Sequence, residues 1–168
     1  MISVKKTKLY NVIFPIWLLW LFPVTWLISL PANFIIDLLV VVLTMRHLKV
    51  DNIKANAKKV ILKVWIMGFL ADIVGSLGLL LSNLLDQNTE WWNENIVIPI
   101  NYNPFNSIWG FLWITVCMIL TGIIIYFINK CWCLKKADLT EIERKKVALA
   151  LAVFTAPYLF YLPTQWFV

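Results

Sequence analysis

Charge is scarce in this sequence. Only 14% of its 168 residues are Asp, Glu, Lys or Arg, while 61% are hydrophobic. A soluble domain is usually about half apolar and about a quarter charged. A soluble chain of this size could not hide so much apolar surface in one core. Histidine is nearly missing as well, with His47 the single one. One histidine and scattered carboxylates cannot assemble a catalytic triad or a metal site of usual form. Walker loops, H-E-x-x-H, G-x-S-x-G and G-x-G-x-x-G are all lacking. These absences argue against an ATPase, a metalloprotease and a serine hydrolase, so no catalytic residue, metal or cofactor is expected. The 3 cysteines are odd in number, and none lies in a segment expected to face outward, which argues against a disulfide framework. No linker, low-complexity tract or internal repeat divides the chain, and residues 1–168 are expected to form a single domain.

Apolar residues are what the chain has in abundance. Its mean hydropathy is +0.79, and its 10 Trp are of the type that gathers where a membrane meets water. About 20 apolar residues are needed to cross a bilayer as a helix. Segments approaching that length lie at 9–30, 32–48, 64–85, 107–129 and 147–166. The expected fold is therefore all-α, a multi-pass transmembrane helical bundle of about five helices, with the helix at 64–85 at its centre. The second segment is short and the fifth is broken by Pro157 and Pro163, so these two are the weak spans. The first segment resembles a signal peptide in its basic start. Its apolar run is too long, however, and Ser29-Leu30-Pro31-Ala32 puts Leu or Pro where a cleavage site wants small residues. An uncleaved helix is expected.

The charges that do occur are sorted by position. The chain carries 15 basic residues. Lys5, Lys6 and Lys8 open it. Arg46, Lys49, Lys54, Lys58, Lys59 and Lys63 lie between the second and third segments, and Lys130, Lys135, Lys136, Arg144, Lys145 and Lys146 between the fourth and fifth. The connection at 86–106 holds Asp86, Glu90 and Glu94 and no Lys or Arg. Positive loops stay cytoplasmic. This places the N-terminus and the basic loops inside and 86–106 outside. The expected location is a bacterial inner membrane. Residues 50–62 are read as a helical extension lying at the interface, with lysines meeting anionic head groups. That accounts for the net charge of +6 without a nucleic-acid partner.

Several polar residues fall inside the apolar segments. Asp72 lies near the middle of the third, where a carboxylate is costly unless a partner or a bound proton offsets it. It marks either an ion, proton or substrate site or a hydrogen-bonded helix fastener. Gly68, Ala71, Gly75, Gly78 and Ser82 recur at helical spacing and form a small-residue seam, suited to close packing against another helix or another copy of the chain. Asp72, Ser76 and Asn83 lie on an adjoining stripe. Asp37, counted from the segment's start at Ala32, falls about 8 Å below the outer edge and Asp72 about 20 Å, so the two are not expected to share one ion. Thr121 and Thr155 reach the depth of Asp72 as possible partners, against the common habit of such hydroxyls of bonding to their own helix. In the outer loop, Trp91, Trp92 and the run 96–100 suggest an aromatic belt and a segment resting on the membrane, or a docking surface. Cys131 and Cys133 suit interfacial packing or, less readily, acylation.

Two functional readings follow. The leading one is a non-enzymatic accessory or scaffold subunit, held in the lipid bilayer with a membrane-protein partner or as a homo-oligomer. The alternative is a small transporter, channel or substrate-binding component of a transporter, built on Asp72, Asp37, Ser76, Thr121 and Thr155. It draws some support from the prolines, because transporters bind substrate at broken helices.

Overall fold

A computed structural model describes residues 26–85 and 89–166 of the chain. The described part is helical throughout, with no strand among the described residues. Helix α1 spans Trp26–His47, α2 spans Ile53–Leu84, α5 spans Ile108–Cys131 and α6 spans Glu141–Phe154. Between α2 and α5 lie two short pieces, α3 (Glu90–Trp92) and α4 (Ile98–Asn101), joined by a π-helical turn at Asn93–Val97. Helices α1, α2 and α5 are long and apolar enough to cross a membrane.

The four larger helices form a closed ring. Each packs on its neighbours in the order α1, α2, α5, α6, and α6 returns to α1. Successive helices run antiparallel, giving an up-down-up-down bundle. The α2 helix is one wall of this ring, diagonal to α6, rather than the central helix expected from its small residues. Buried Val41, Met45, Val60, Val64, Val147 and Leu151 form the core at one end, and Phe69, Leu79, Ile100, Ile114 and Phe160 at the other. Large apolar side chains also point outward. On α2, Leu62, Ile66, Leu70, Val74, Leu77 and Leu81 are exposed at helical spacing. This is a continuous apolar stripe of a kind that water-soluble monomers rarely leave bare.

Helix boundaries differ from the expected ones, each for a local reason. No break occurs at Pro31, and α1 runs through it. Proline withholds one N–H, and the rest of a 22-residue helix supports the loss. The indole Nε1 of Trp65 donates to the Leu30 carbonyl at 2.8 Å, fastening α1 to α2 beside the proline. The expected first segment, 9–30, lies mostly outside the described residues, and its last part, from Trp26, belongs to α1.

The α1 helix ends in a Schellman motif. Val50 N–H donates to the Met45 carbonyl and Lys49 N–H to that of Arg46. Lys49 takes the left-handed conformation, φ 57, where glycine is the usual choice. Residues 53–62 then continue straight into α2 instead of lying flat at an interface. At 32 residues, α2 is about 48 Å long, so its first turns, with Lys54, Lys58 and Lys59, extend past a hydrocarbon layer of about 30 Å.

The fifth segment is also redrawn. Thr140 caps α6 in a capping box, accepting from Glu143 N–H while the Glu143 carboxylate accepts from Thr140 N–H. The helix therefore starts at Glu141 and stops at Phe154, about 21 Å later. Pro157 cannot donate to the Val153 carbonyl, and the Tyr158 hydroxyl donates to it instead. The chain goes on through short 3-10 turns at Tyr158–Tyr161 and Thr164–Trp166. It still reaches the far end of the bundle, where Gln165 N–H donates to the Tyr102 carbonyl at 3.2 Å. This segment thus runs from one end of the bundle to the other, only partly as α-helix.

Basic and acidic segments separate as their positions suggested. Asp138 N–H donates to Asn56 Oδ1 at 2.9 Å, and the Lys63 ammonium lies 5.6 Å from the Trp132 ring centre. The two basic connections thus meet at one end. At the other end, Ile96 and Ile100 are buried in the protein's own core. Trp92 Nε1 donates to the Ser82 carbonyl at 2.9 Å and Asn101 to Asn83 Oδ1 at 2.7 Å. Ile96 and Ile100 of the run 96–100 thus serve the protein's own core, while Val97 and Ile98 remain half-buried. The π turn comes just before Pro99, which has no N–H for the Asn95 carbonyl. Gly110 admits the proline, because a Cβ there would lie 2.7 Å from Pro99 Cβ.

Candidate functional site

The candidate site grows from two helical pairs. On α1, Asn33 and Asp37 are four residues apart and share a face with buried Val41 and Met45. On α2, Gly68 and Asp72 are also four apart. Because α1 and α2 are antiparallel, the pairs meet head to tail. Asn33 Nδ2 approaches Asp72 Oδ2 at 3.5 Å. A Cβ added to Gly68 would lie 3.5 Å from Asp37 Oδ2. Gly68 thus leaves the space into which the Asp37 carboxyl projects.

Asp37 and Asp72 consequently line one cavity of about 260 Å³, together with Asn33, Gly68 and Thr155. Each aspartate is only 4% exposed. This corrects the expectation that the two acids stand at different depths and cannot share a ligand. That expectation counted inward from a helix start at Ala32, whereas α1 is already formed at Trp26. Asn33 stands opposite Asp72, so Asp37, one turn further on, lies only about 6 Å from Asp72 along the helix axis.

The third wall is the broken end of α6. Phe154, Thr155, Ala156 and Pro157 all line the cavity. A helix C-terminus carries partial negative charge on its last carbonyls, so it adds to the field of the acids. Among the described residues, no Lys, Arg or His lines the cavity. Asp72 Oδ1 has no hydrogen-bond partner among the described residues, and the contact of Oδ2 with Asn33 is long. A buried carboxylate left this way is strongly unfavourable unless something positive joins it.

The other expected site residues divide. Thr155 lines the cavity with Asp37, while its hydroxyl donates to the Leu151 carbonyl of its own helix at 2.8 Å. Thr121 does not reach Asp72. Its hydroxyl donates to the Cys117 carbonyl of its own helix at 2.9 Å and faces Gly75. Ser76 is fully buried and donates to the Asp72 backbone carbonyl at 3.0 Å, outside the cavity. Asn83 is engaged by Asn101, so the stripe of Asp72, Ser76 and Asn83 is no continuous path.

The small-residue seam is closed within the chain. Gly75 faces Thr121 and Phe160, and Gly78 faces Cys117, whose Sγ would lie 3.1 Å from a Cβ added at Gly78. Ala71 and Ser82 are buried, and Ser82 donates to the Leu79 carbonyl at 2.7 Å. Sequence reasoning missed Asn33, although it lies in the expected segment 32–48 one turn before Asp37, because its partner Asp72 is on another helix and no local pattern pairs the two. Among the described residues no group of three or more His, Cys, Asp or Glu side chains is placed to hold a metal ion. No family model, curated protein or solved structure matches the chain.

Proposed function

We propose that the chain is a multi-pass membrane protein that binds a cation in its mid-membrane acidic cavity, acting as a small transporter or as the substrate-binding component of one. The observation that carries this reading is the convergence of Asp37 and Asp72, both deeply buried, on one cavity with no basic residue among the described ones lining it. The end of α6 strengthens it. Broken helices place the negative ends of their dipoles at cation sites in several transporter folds. Such intramembrane acids commonly mark ion or substrate pathways. The basic end, on this reading, faces the cytoplasm, as positive loops do, and Lys5, Lys6 and Lys8 put the N-terminus on the same side. The accessory-subunit reading drew on the seam of α2, which packs within the chain, against α5 and Phe160 at Gly75 and Gly78 and against Asp37 at Gly68.

The test uses the full chain reconstituted in vesicles on a solid-supported membrane. Sodium, proton and alkylammonium jumps are applied in turn, and the charge movement is recorded. Wild-type protein should respond to at least one of them, and Asp72→Asn should abolish the response while remaining membrane-integrated after alkaline extraction. Equal responses from both proteins, together with a stoichiometric membrane partner recovered from native membranes, would return the weight to the accessory subunit.

A further inference from the structure

The cavity's rim says which cation it takes. Its outer lining consists of Ile36 on α1, Phe154 at the end of α6, and Tyr158 and Leu159 in the following turn. All four are exposed on the bundle's outer surface. They continue the apolar face that α1 presents through Leu39 and Leu43. Because α6 stops at Phe154, the chain that follows it, Thr155 to Leu159, forms this wall of the cavity in place of a regular helix. Among the described residues, the acids are therefore reached from the side, at mid-depth, past apolar groups.

We infer that the site receives the head group of an amphipathic amine from within the bilayer, with the amine's hydrocarbon tail left in lipid. This rests on the cation-site reading above. Size supports it first. A cavity of about 260 Å³ falls below the range of about 300–1,000 Å³ that encloses a drug-sized ligand. It suits an ammonium or trimethylammonium group better than a whole lipophilic molecule. Charge supports it next. Two carboxyls and a helix C-terminus attract a cation, and they repel the phosphate of any phospholipid head group.

Access supports it as well. A bare inorganic ion would have to shed its water to pass an apolar lateral mouth. An amine with a tail is already partitioned into the bilayer and needs only to move sideways. The aromatic rings of Phe154 and Tyr158 stand at the mouth, where an ammonium gains from an aromatic face. Asp72 Oδ1, buried and without a partner among the described residues, leaves this cavity-lining carboxyl with unused acceptor capacity.

The experiment measures binding of radiolabelled dodecyltrimethylammonium to the full chain in nanodiscs, with uptake by empty discs subtracted. Tetramethylammonium and sodium serve as competitors without a tail. Saturable binding is expected, with affinity reduced at least tenfold by Asp72→Asn and by Asp37→Asn, and with tetramethylammonium at least tenfold weaker. Leu159→Trp, which narrows the mouth at an exposed position and leaves the acids alone, should slow or weaken binding of the tailed amine. Melting curves establish that each variant is folded. If sodium or tetramethylammonium competes as strongly as the tailed amine in an Asp72-dependent way, lateral amine recognition is overturned and the cation site stands. If no cation binds in a manner that depends on Asp72 or Asp37, both readings fall.

Discussion

Gly75 and Gly68 lie on the same helix and serve different ends. A side chain at Gly75 would run into the Thr121 hydroxyl and stand 3.0 Å from the Phe160 ring. Gly75→Ala should therefore destabilise the protein by about 1–3 kcal/mol, the usual cost of overpacking. At Gly68 the new methyl would meet Asp37 Oδ2 at an ordinary 3.5 Å, and alanine is the better helix former by about 1 kcal/mol. Gly68→Ala should leave stability unchanged or slightly raised. Thermal unfolding of both variants in one detergent checks the pair, and equal melting would mean that the seam is not tightly closed. The sequence made the seam and Asp72 legible because small and charged residues stand out against leucine. It concealed the match of Asp37 to Gly68, which exists only across two helices.

Helices respond to proline according to what lies around it. Pro31 is carried inside α1, while Pro157 coincides with the end of α6. Near Pro31 the helix is held by Trp65 from α2, and at Pro157 the free carbonyl of Val153 is taken over by Tyr158. Nothing in the two local sequences announces that difference. The start of α6 is more explicit. Thr140 and Glu143 form a capping box, and Thr140→Ala should cost about 1 kcal/mol. The Glu143 carboxyl is held below its ordinary range, chiefly by the hydrogen bonds from the Thr140 side chain and backbone. A carboxyl lowered on folding stabilises the folded state fully above its unfolded value, about 4.3, and loses that contribution as pH falls through the lower folded value. Unfolding curves between pH 7 and pH 3 should show an acid-dependent loss that is smaller in Glu143→Gln. Identical pH profiles for the two proteins would remove the capping box as its source.

The whole molecule has a basic end and an end without a basic residue among those described. Its orientation can be read with one native and one introduced thiol. Cys131 is exposed at the basic end, and Phe105 is exposed at the other. A membrane-impermeant maleimide added to intact cells should label Phe105→Cys and leave Cys131 unlabelled until the membrane is opened. The reverse pattern would invert the assignment of sides. The apolar belt between the two ends is also a whole-molecule property. Leu62, Ile66 and Leu70 on α2 and Val116, Ile119 and Ile123 on α5 stay exposed because lipid, unlike water, imposes no cost on leaving them bare.

By itself, the sequence determined the helical class, the three long apolar helices of the described region and the gathering of lysines into two connections. These follow from hydrophobic runs and charge positions, which act over one helix length and need no partner. It also marked Asp72 as costly, since a carboxylate in an apolar run is costly wherever that run packs. Only the tertiary structure decided that Asp37 shares a cavity with Asp72, that the seam packs within the chain, that Ile96 and Ile100 are core, and that α6 stops at the cavity wall. Those outcomes depend on where each helix begins and which antiparallel neighbour it meets. Such registers are set by contacts between residues far apart in the chain, such as Trp65 on Leu30 and Asn33 on Asp72, and no local pattern encodes them.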